Sequence, residues 1–443
     1  MSITVLAALY PLLAACGDSG TRTTPDVLPA PPPEGRPDEP MIDVPPPPFG
    51  EAIVERRKEL LVVDEALLAA RSDGARADAP WSFRHLVEEL AAPGDPQAFV
   101  RSWLATWSST STESAEGSLP LDVRSAVESE LVCPWLRATP TNECDATCGK
   151  CSARVLDLSK APFRLLAIVN RLDLAEMRGH CDDDAAEGRF VFAMVREGGA
   201  KPFEAIFEYG VKRTKAGDAR AWHALGGLDG RAYAEALEAI TRSFSDRAPG
   251  EPTRLKQLRT SENLGGSKGT SFELRQFAAR DGRLVPTALT NTARDSLNGT
   301  SGLDEHVSTH FSEIMDGDNA ITLSQRTAVS TMPRANFRWS GAGGSDNLPL
   351  DMFGFSTCNG CHAGHRGDTE TSPFAHVSLD ESGHTILSRF LDDPLNPLSD
   401  ELGFRSRSLR RRLEGRCGSE EAGYSARRGL GGLPRRESPV RTH

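Results

Sequence analysis

Three stretches in the middle of the chain restrict its fold most: FRLLAIVNRLDL (163–174), RFVFAMVRE (189–197) and PFEAIFEYGVKR (202–213). Their apolar residues alternate or run continuously, the pattern of strands buried on one or both faces. In the third, Phe203, Ala205, Phe207, Tyr209 and Val211 fall on one face. The Gly-containing link between the second and third is too short for a crossover helix, so antiparallel pairing is expected. SFELRQFAARDGRLVPTAL (271–289) reads as two more strands around a turn at Asp281-Gly282. Between these groups Tyr233, Leu237, Ile240 and Phe244 recur at helical spacing. The expected fold class is α+β, with a mixed or antiparallel sheet.

Helices precede the sheet. FRHLVEEL puts Phe83, Leu86, Val87 and Leu90 on one side. DPQAFVRSWLATW starts with Asp95 as N-cap and Pro96 in the first turn. It then aligns Phe99, Val100, Trp103, Leu104 and Trp107, a spacing that implies core packing. A third helical segment is expected near 121–135. The divisions that follow are 51–154 (helical, ending in a Cys-rich loop), 155–337 (α+β) and 338–415 (a small irregular or helical unit), with a basic disordered tail at 416–443.

The chain opens with MSITVLAALYPLLAAC, whose apolar stretch is too short to span a bilayer and suits an export signal. No Lys or Arg precedes that stretch. Leu13-Ala14-Ala15-Cys16 resembles a bacterial lipobox, which implies lipidation of Cys16 and an outer-membrane anchor. Residues 17–50 carry 11 prolines between Pro25 and Pro48. They read as a tether reaching roughly 90–100 Å at polyproline rise. The net charge of −11 argues against a nucleic-acid partner, although residues 401–443 hold 11 Arg against 5 Glu.

An exported chain can oxidise its thiols. Cys133, Cys144, Cys148, Cys151, Cys181 and Cys417 are the disulfide candidates. CPWLRATPTNECDATCGKC also places four cysteines where a zinc ion could gather them. Elsewhere DGDN (316–319) and CDDD (181–184) read as surface turns, and GGSKG and GGLDG as flexible loops. No GxSxG or HExxH motif nominates a hydrolase.

The strongest chemical signal is FSTCNGCHAGH. With 9 Cys and 10 His in 443 residues, chance yields roughly 0.004 CxxCH matches. Cysteines i and i+3 sit one helical turn apart, matching the two vinyl groups of a porphyrin edge, and the following His ligates iron. Cys358, Cys361 and His362 are therefore candidates for covalent haem c. A zinc site using Cys358, Cys361, His362 and His376, or a disulfide, are the alternatives. No Met follows Met352, and His365 is too near His362 to reach the opposite haem face. His376 is the expected distal ligand, with His384 in reserve and His306, His310, Met332 and Met352 upstream.

APFRLLAIVNRLDL, GRFVFAMV and STCNGCHAGH…FAHV together resemble a family of exported bacterial lipoproteins carrying a TCNGCH motif and a later Phe-x-His. That resemblance spans roughly residues 160–395 and implies that Cys358, Cys361, His362 and His376 belong together. The reading is an envelope lipoprotein with c-type haem, a redox role and a redox partner protein. Its alternative is a non-redox binding module stapled by zinc or a disulfide.

Overall fold

The computed structural model describes residues 53–415, except 176–185, 212–216, 265–272, 316–319, 332–336, 363–375, 393–400 and scattered single residues and pairs. The fold is α+β. An eight-stranded antiparallel sheet is built from β1 (Leu61–Val62), β2 (Phe163–Arg171), β3 (Glu187–Met194), β4 (Phe203–Gly210), β5 (Leu255–Glu262), β6 (Glu273–Arg280), β7 (Arg283–Thr287) and β8 (Ser330–Thr331). The order is β1-β2-β3-β4-β5-β6, and β7 and β8 pair with different ends of β6. The β6–β7 hairpin turns through Asp281 and Gly282, both at positive φ (50° and 68°). That is the two-residue connection whose twist matches antiparallel strands.

One face of the sheet is aromatic. Helices α1 (Phe83–Ala91) and α2 (Pro96–Ala105) lie over it. Both start as the sequence implies: Ser82 accepts from the His85 amide, and Asp95 from the Gln97 amide with Pro96 in the first turn. Phe83 meets Phe163 at 4.6 Å and Phe207 at 5.9 Å, and Trp103 meets Phe203 at 6.0 Å and Phe277 at 6.3 Å. Helix α3 (Gly230–Ser245) covers the same face further along. Its Phe244 fills the space above Gly188, where a Cβ would lie 2.4 Å from the ring.

The opposite face carries the surprise. Strand β5 was not evident from sequence, because TRLKQLRTSENL has only three apolar residues, all Leu. Leu258 faces the aromatic core, while Gln257, Arg259 and Ser261 point the other way and are also buried. The C-terminal part, expected to be irregular or helical, lies over this face, where His376, Val377 and Arg405 line a cavity with Val191 and Ile206. It contains a hairpin, β9 (Val377–Leu379) with β10 (Thr385–Leu387), as well as α4 (Leu348–Phe355), α5 (Cys358–His362) and α6 (Glu401–Leu413). Val377, Leu379, Leu391, Leu402 and Leu409 share one apolar core with the sheet and the N-terminal helices. A smaller core joins Ala293, Leu303, Val307, Trp339, Leu350, Met352 and Phe353. No helix among the described residues is long and apolar enough to cross a membrane.

Candidate functional site

The CNGCH segment forms the short helix α5, held from three sides. Trp339 Nε1 donates to Thr357 Oγ1 (2.9 Å), which donates to the Gly354 carbonyl (2.9 Å) and accepts from the Gly360 amide (3.2 Å). Asn359 Nδ2 donates to Asp295 Oδ1 (2.7 Å) and to the Ala293 carbonyl (3.2 Å). Burial pushes the Asp295 carboxyl up, and the Asn359 hydrogen bond opposes the shift. A Cβ on Gly360 would stand 2.3 Å from the Gly354 carbonyl oxygen, so the second residue between the cysteines has room only for glycine. Cys358 is 3% exposed, with Sγ 3.9 Å from the Thr290 carbonyl, and it is disulfide-bonded. The backbone of Cys361 and His362 completes the turn. Their side chains lie outside the described residues.

His376, 4% exposed, stands beside β9 and lines a cavity of about 40 Å³ with Val169, Arg171, Val191, Ile206 and Arg405. That volume holds about one water molecule. Strand register shows how this cavity relates to α5. Val191, Ile206, Arg259 and Gln276 are successive cross-strand partners on one face. Val191 and Ile206 line the His376 cavity. Gln276 Nε2 donates to Thr290 Oγ1 (3.0 Å), and the Thr290 carbonyl touches Cys358. Side chains on this one sheet face therefore reach the His376 cavity at Val191 and Ile206 and, through Gln276 and Thr290, the neighbourhood of Cys358. No described contact joins them directly.

Of the other predicted ligands, His306 packs in the smaller core, 5.7 Å from Phe353 and 4.8 Å from His310. Met352 is buried in that same core. His384 is exposed and lies beside Asp380. His365 and Met332 fall outside the described residues.

Around His376 the sheet presents buried charge. Glu187 holds Arg189 (2.6 Å), Arg189 lies 3.4 Å from Glu208, and Glu208 lies 3.4 Å from Arg259. Arg171 pairs with Asp173 (3.0 Å) and Arg405 with Glu401 (3.2 Å). Burial pushes the Arg171 guanidinium down to about 10, and Arg405 adds repulsion. Burial raises the Glu208 carboxyl. For Glu187 burial acts in the same sense, but Arg189 and Lys256 outweigh it and hold the group below its ordinary value. Arg171 Nη1 and all three nitrogens of the Arg259 guanidinium donate no hydrogen bond among the described residues. Sequence reasoning passed over this cluster. Charges at alternate strand positions were visible, but such a pattern ordinarily marks a solvated face.

The Cys-rich loop is a separate centre. Cys133 is bonded to Cys148 and Cys144 to Cys151, so four of the six disulfide candidates are paired. The sulfurs of Cys144, Cys148 and Cys151 lie within 4.8 Å of one another, a group that could hold a metal ion. Cys16, Cys181 and Cys417 lie outside the described residues, as do DGDN and CDDD. No family model, curated protein or solved structure matches the chain.

Proposed function

We propose that the protein is a lipid-anchored envelope protein that carries a covalent c-type haem and transfers electrons to a redox partner. Cys358 and Cys361 would hold the haem, His362 would be its proximal ligand and His376 its distal one. The observation that carries this reading is the α5 turn itself. It is helical through Cys358–His362 and fixed by the Trp339–Thr357 and Asn359–Asp295 hydrogen bonds. A pre-set turn spares the entropy of ordering the attachment site. His376, buried beside the sheet, is the second imidazole that this reading uses. The unused donors of Arg171 and Arg259 would suit the two propionates of the group.

Haem supplies a one-electron iron couple, and two imidazoles would set it at low potential. The chain's own contribution would be orientation of the attachment turn and compensation of the carboxylate charge. Thr357 and Asn359 hold the turn, while the arginines of the sheet answer the negative carboxylates. Attachment needs both thiols free, so the Cys358 disulfide has first to take two electrons and two protons from a dithiol.

That disulfide favours a second reading, in which Cys358 staples a unit with a small core and the chain is a non-redox binding module. Zinc at Cys358, Cys361, His362 and His376 would serve the same stapling role, but like haem attachment it requires reduced cysteines. Intact-mass measurement on the full chain, expressed with haem-attachment machinery, separates these outcomes. A haem adduct that disappears in Cys358→Ala/Cys361→Ala supports the redox protein. A mass equal to the oxidised polypeptide supports the staple.

A further inference from the structure

The paired cysteines of the 133–151 loop do more than two independent staples require. A disulfide needs only its own two sulfurs, yet here Cys144, Cys148 and Cys151 place three within 4.8 Å of one another. The fourth, Cys133, is brought to the same point by its bond to Cys148. Around a tetrahedral zinc ion with Zn–S of about 2.3 Å, thiolate sulfurs stand ~3.8 Å apart. The observed cluster lies within side-chain motion of that arrangement.

The loop is also held by contacts other than its disulfides. Cys144 and Cys151 face each other across an antiparallel bridge. The Asp145 amide donates to the Lys150 carbonyl and the Ser152 amide to the Glu143 carbonyl, each at 2.9 Å. The Asp145 carboxylate caps the turn by accepting from the Thr147, Gly149 and Lys150 amides at 3.0–3.1 Å. Cys148 sits at positive φ (55°), which turns the chain back on itself between the outer cysteines. Asn142 Nδ2 ties both ends down by donating to the Leu136 and Val155 carbonyls. Helix Cys133–Ala138 is anchored through Trp135 Nε1 to the Asp157 carbonyl. None of these bonds involves sulfur, so opening the disulfides breaks none of them directly.

We infer that Cys133, Cys144, Cys148 and Cys151 form a redox-gated zinc centre: two disulfides when oxidised, one tetrathiolate zinc site when reduced. Two dithiol molecules supply the four electrons and four protons that open the disulfides, and each becomes a disulfide itself. Zinc then displaces the four thiol protons and binds four thiolates. Oxidation by a disulfide oxidant reverses the sequence, re-forms both bonds and expels the ion. Arg154, which pairs with Glu128, donates to the Cys148 carbonyl beside the centre (3.1 Å). This centre is independent of the haem reading.

The test uses the full chain carrying Cys358→Ser/Cys361→Ser, so that the other motif cannot contribute. The protein is reduced with a phosphine, freed of reductant without air, and titrated with cobalt(II). One ion per chain is expected, with the charge-transfer and d–d bands of a tetrahedral tetrathiolate, displaced stoichiometrically by zinc. Adding Cys144→Ser/Cys148→Ser should abolish the bands. A variant that fails to fold is bypassed by oxidising the zinc-loaded parent. One equivalent of zinc should then be released, and peptide mapping should recover the 133–148 and 144–151 pairs. A reduced protein that takes up no ion, or a quadruple variant that binds as well as its parent, overturns the inference. So does oxidation that leaves the zinc in place.

Discussion

At the scale of single residues, the sheet stores charge where water does not reach, and this makes stability pH-dependent in a stated direction. Burial pushes the Glu273 carboxyl up to about 7, against the opposing pull of Arg275 and Arg124. An unfolded glutamate titrates near 4.5. Between those values the folded state binds more protons than the unfolded one, so stability is greatest below pH 4.5 from this group and falls as pH rises through 7. In Glu273→Gln that component vanishes. The difference in unfolding free energy between parent and variant, from denaturant titrations at pH 5 and pH 8, should change by about 3 kcal/mol. A pH-independent difference would contradict the assignment. Arg275 still has the Thr106 and Asp122 carbonyls in the variant, so the fold survives the substitution. Gly360 is the second residue-scale case. Because its missing Cβ would meet backbone, Gly360→Ala should lower stability by about 1–3 kcal/mol. Differential scanning calorimetry of the two proteins measures this, and an unchanged melting temperature would show that the turn is less tightly packed than described.

At the scale of elements, legibility followed contrast between faces. Helices α1 and α2 and strands β2–β4, β6 and β7 were readable because apolar residues face the core and caps or a Asp-Gly turn mark their ends. All six tryptophans are buried, and those at helical spacing serve as core, as the sequence implied. Strand β5 escaped because its outward side is charged yet covered, and no local pattern tells a covered charge from a solvated one. The β9–β10 hairpin escaped because three-residue strands carry too little periodicity to register. For the candidate site, the turn Cys358–His362 was legible from spacing alone. The arginine cluster was not, since the fold assembles it from residues as far apart in sequence as Arg171, Arg259 and Arg405. The aromatic packing of α2 on the sheet gives a further expectation. Trp103 contacts Phe83, Trp107, Phe163, Phe203 and Phe277, so Trp103→Ala should cost about 3–5 kcal/mol. Urea midpoints test this, and a loss below 1 kcal/mol would mean that the core closes around the gap.

At the scale of the whole molecule, the N-terminal helices and the C-terminal segment sandwich the sheet. One contributes an aromatic layer; the other covers a charged layer and carries the CNGCH turn. The anchor proposed for Cys16 lies before a Pro-rich stretch long enough to hold such a body away from a membrane surface. Cys16→Ser should therefore move the protein from the membrane fraction to the soluble fraction of the producing cell, read by immunoblot. Unchanged partitioning would contradict a lipid anchor at that residue. The central claim, covalent haem on the turn, is tested most directly by colour. The full chain is produced in a periplasm with cytochrome c maturation and denatured in alkaline pyridine, and its reduced spectrum is recorded. A c-type α-band, absent from Cys358→Ala/Cys361→Ala, is the predicted result. A colourless protein, from cells that mature a control cytochrome alongside it, would contradict the account.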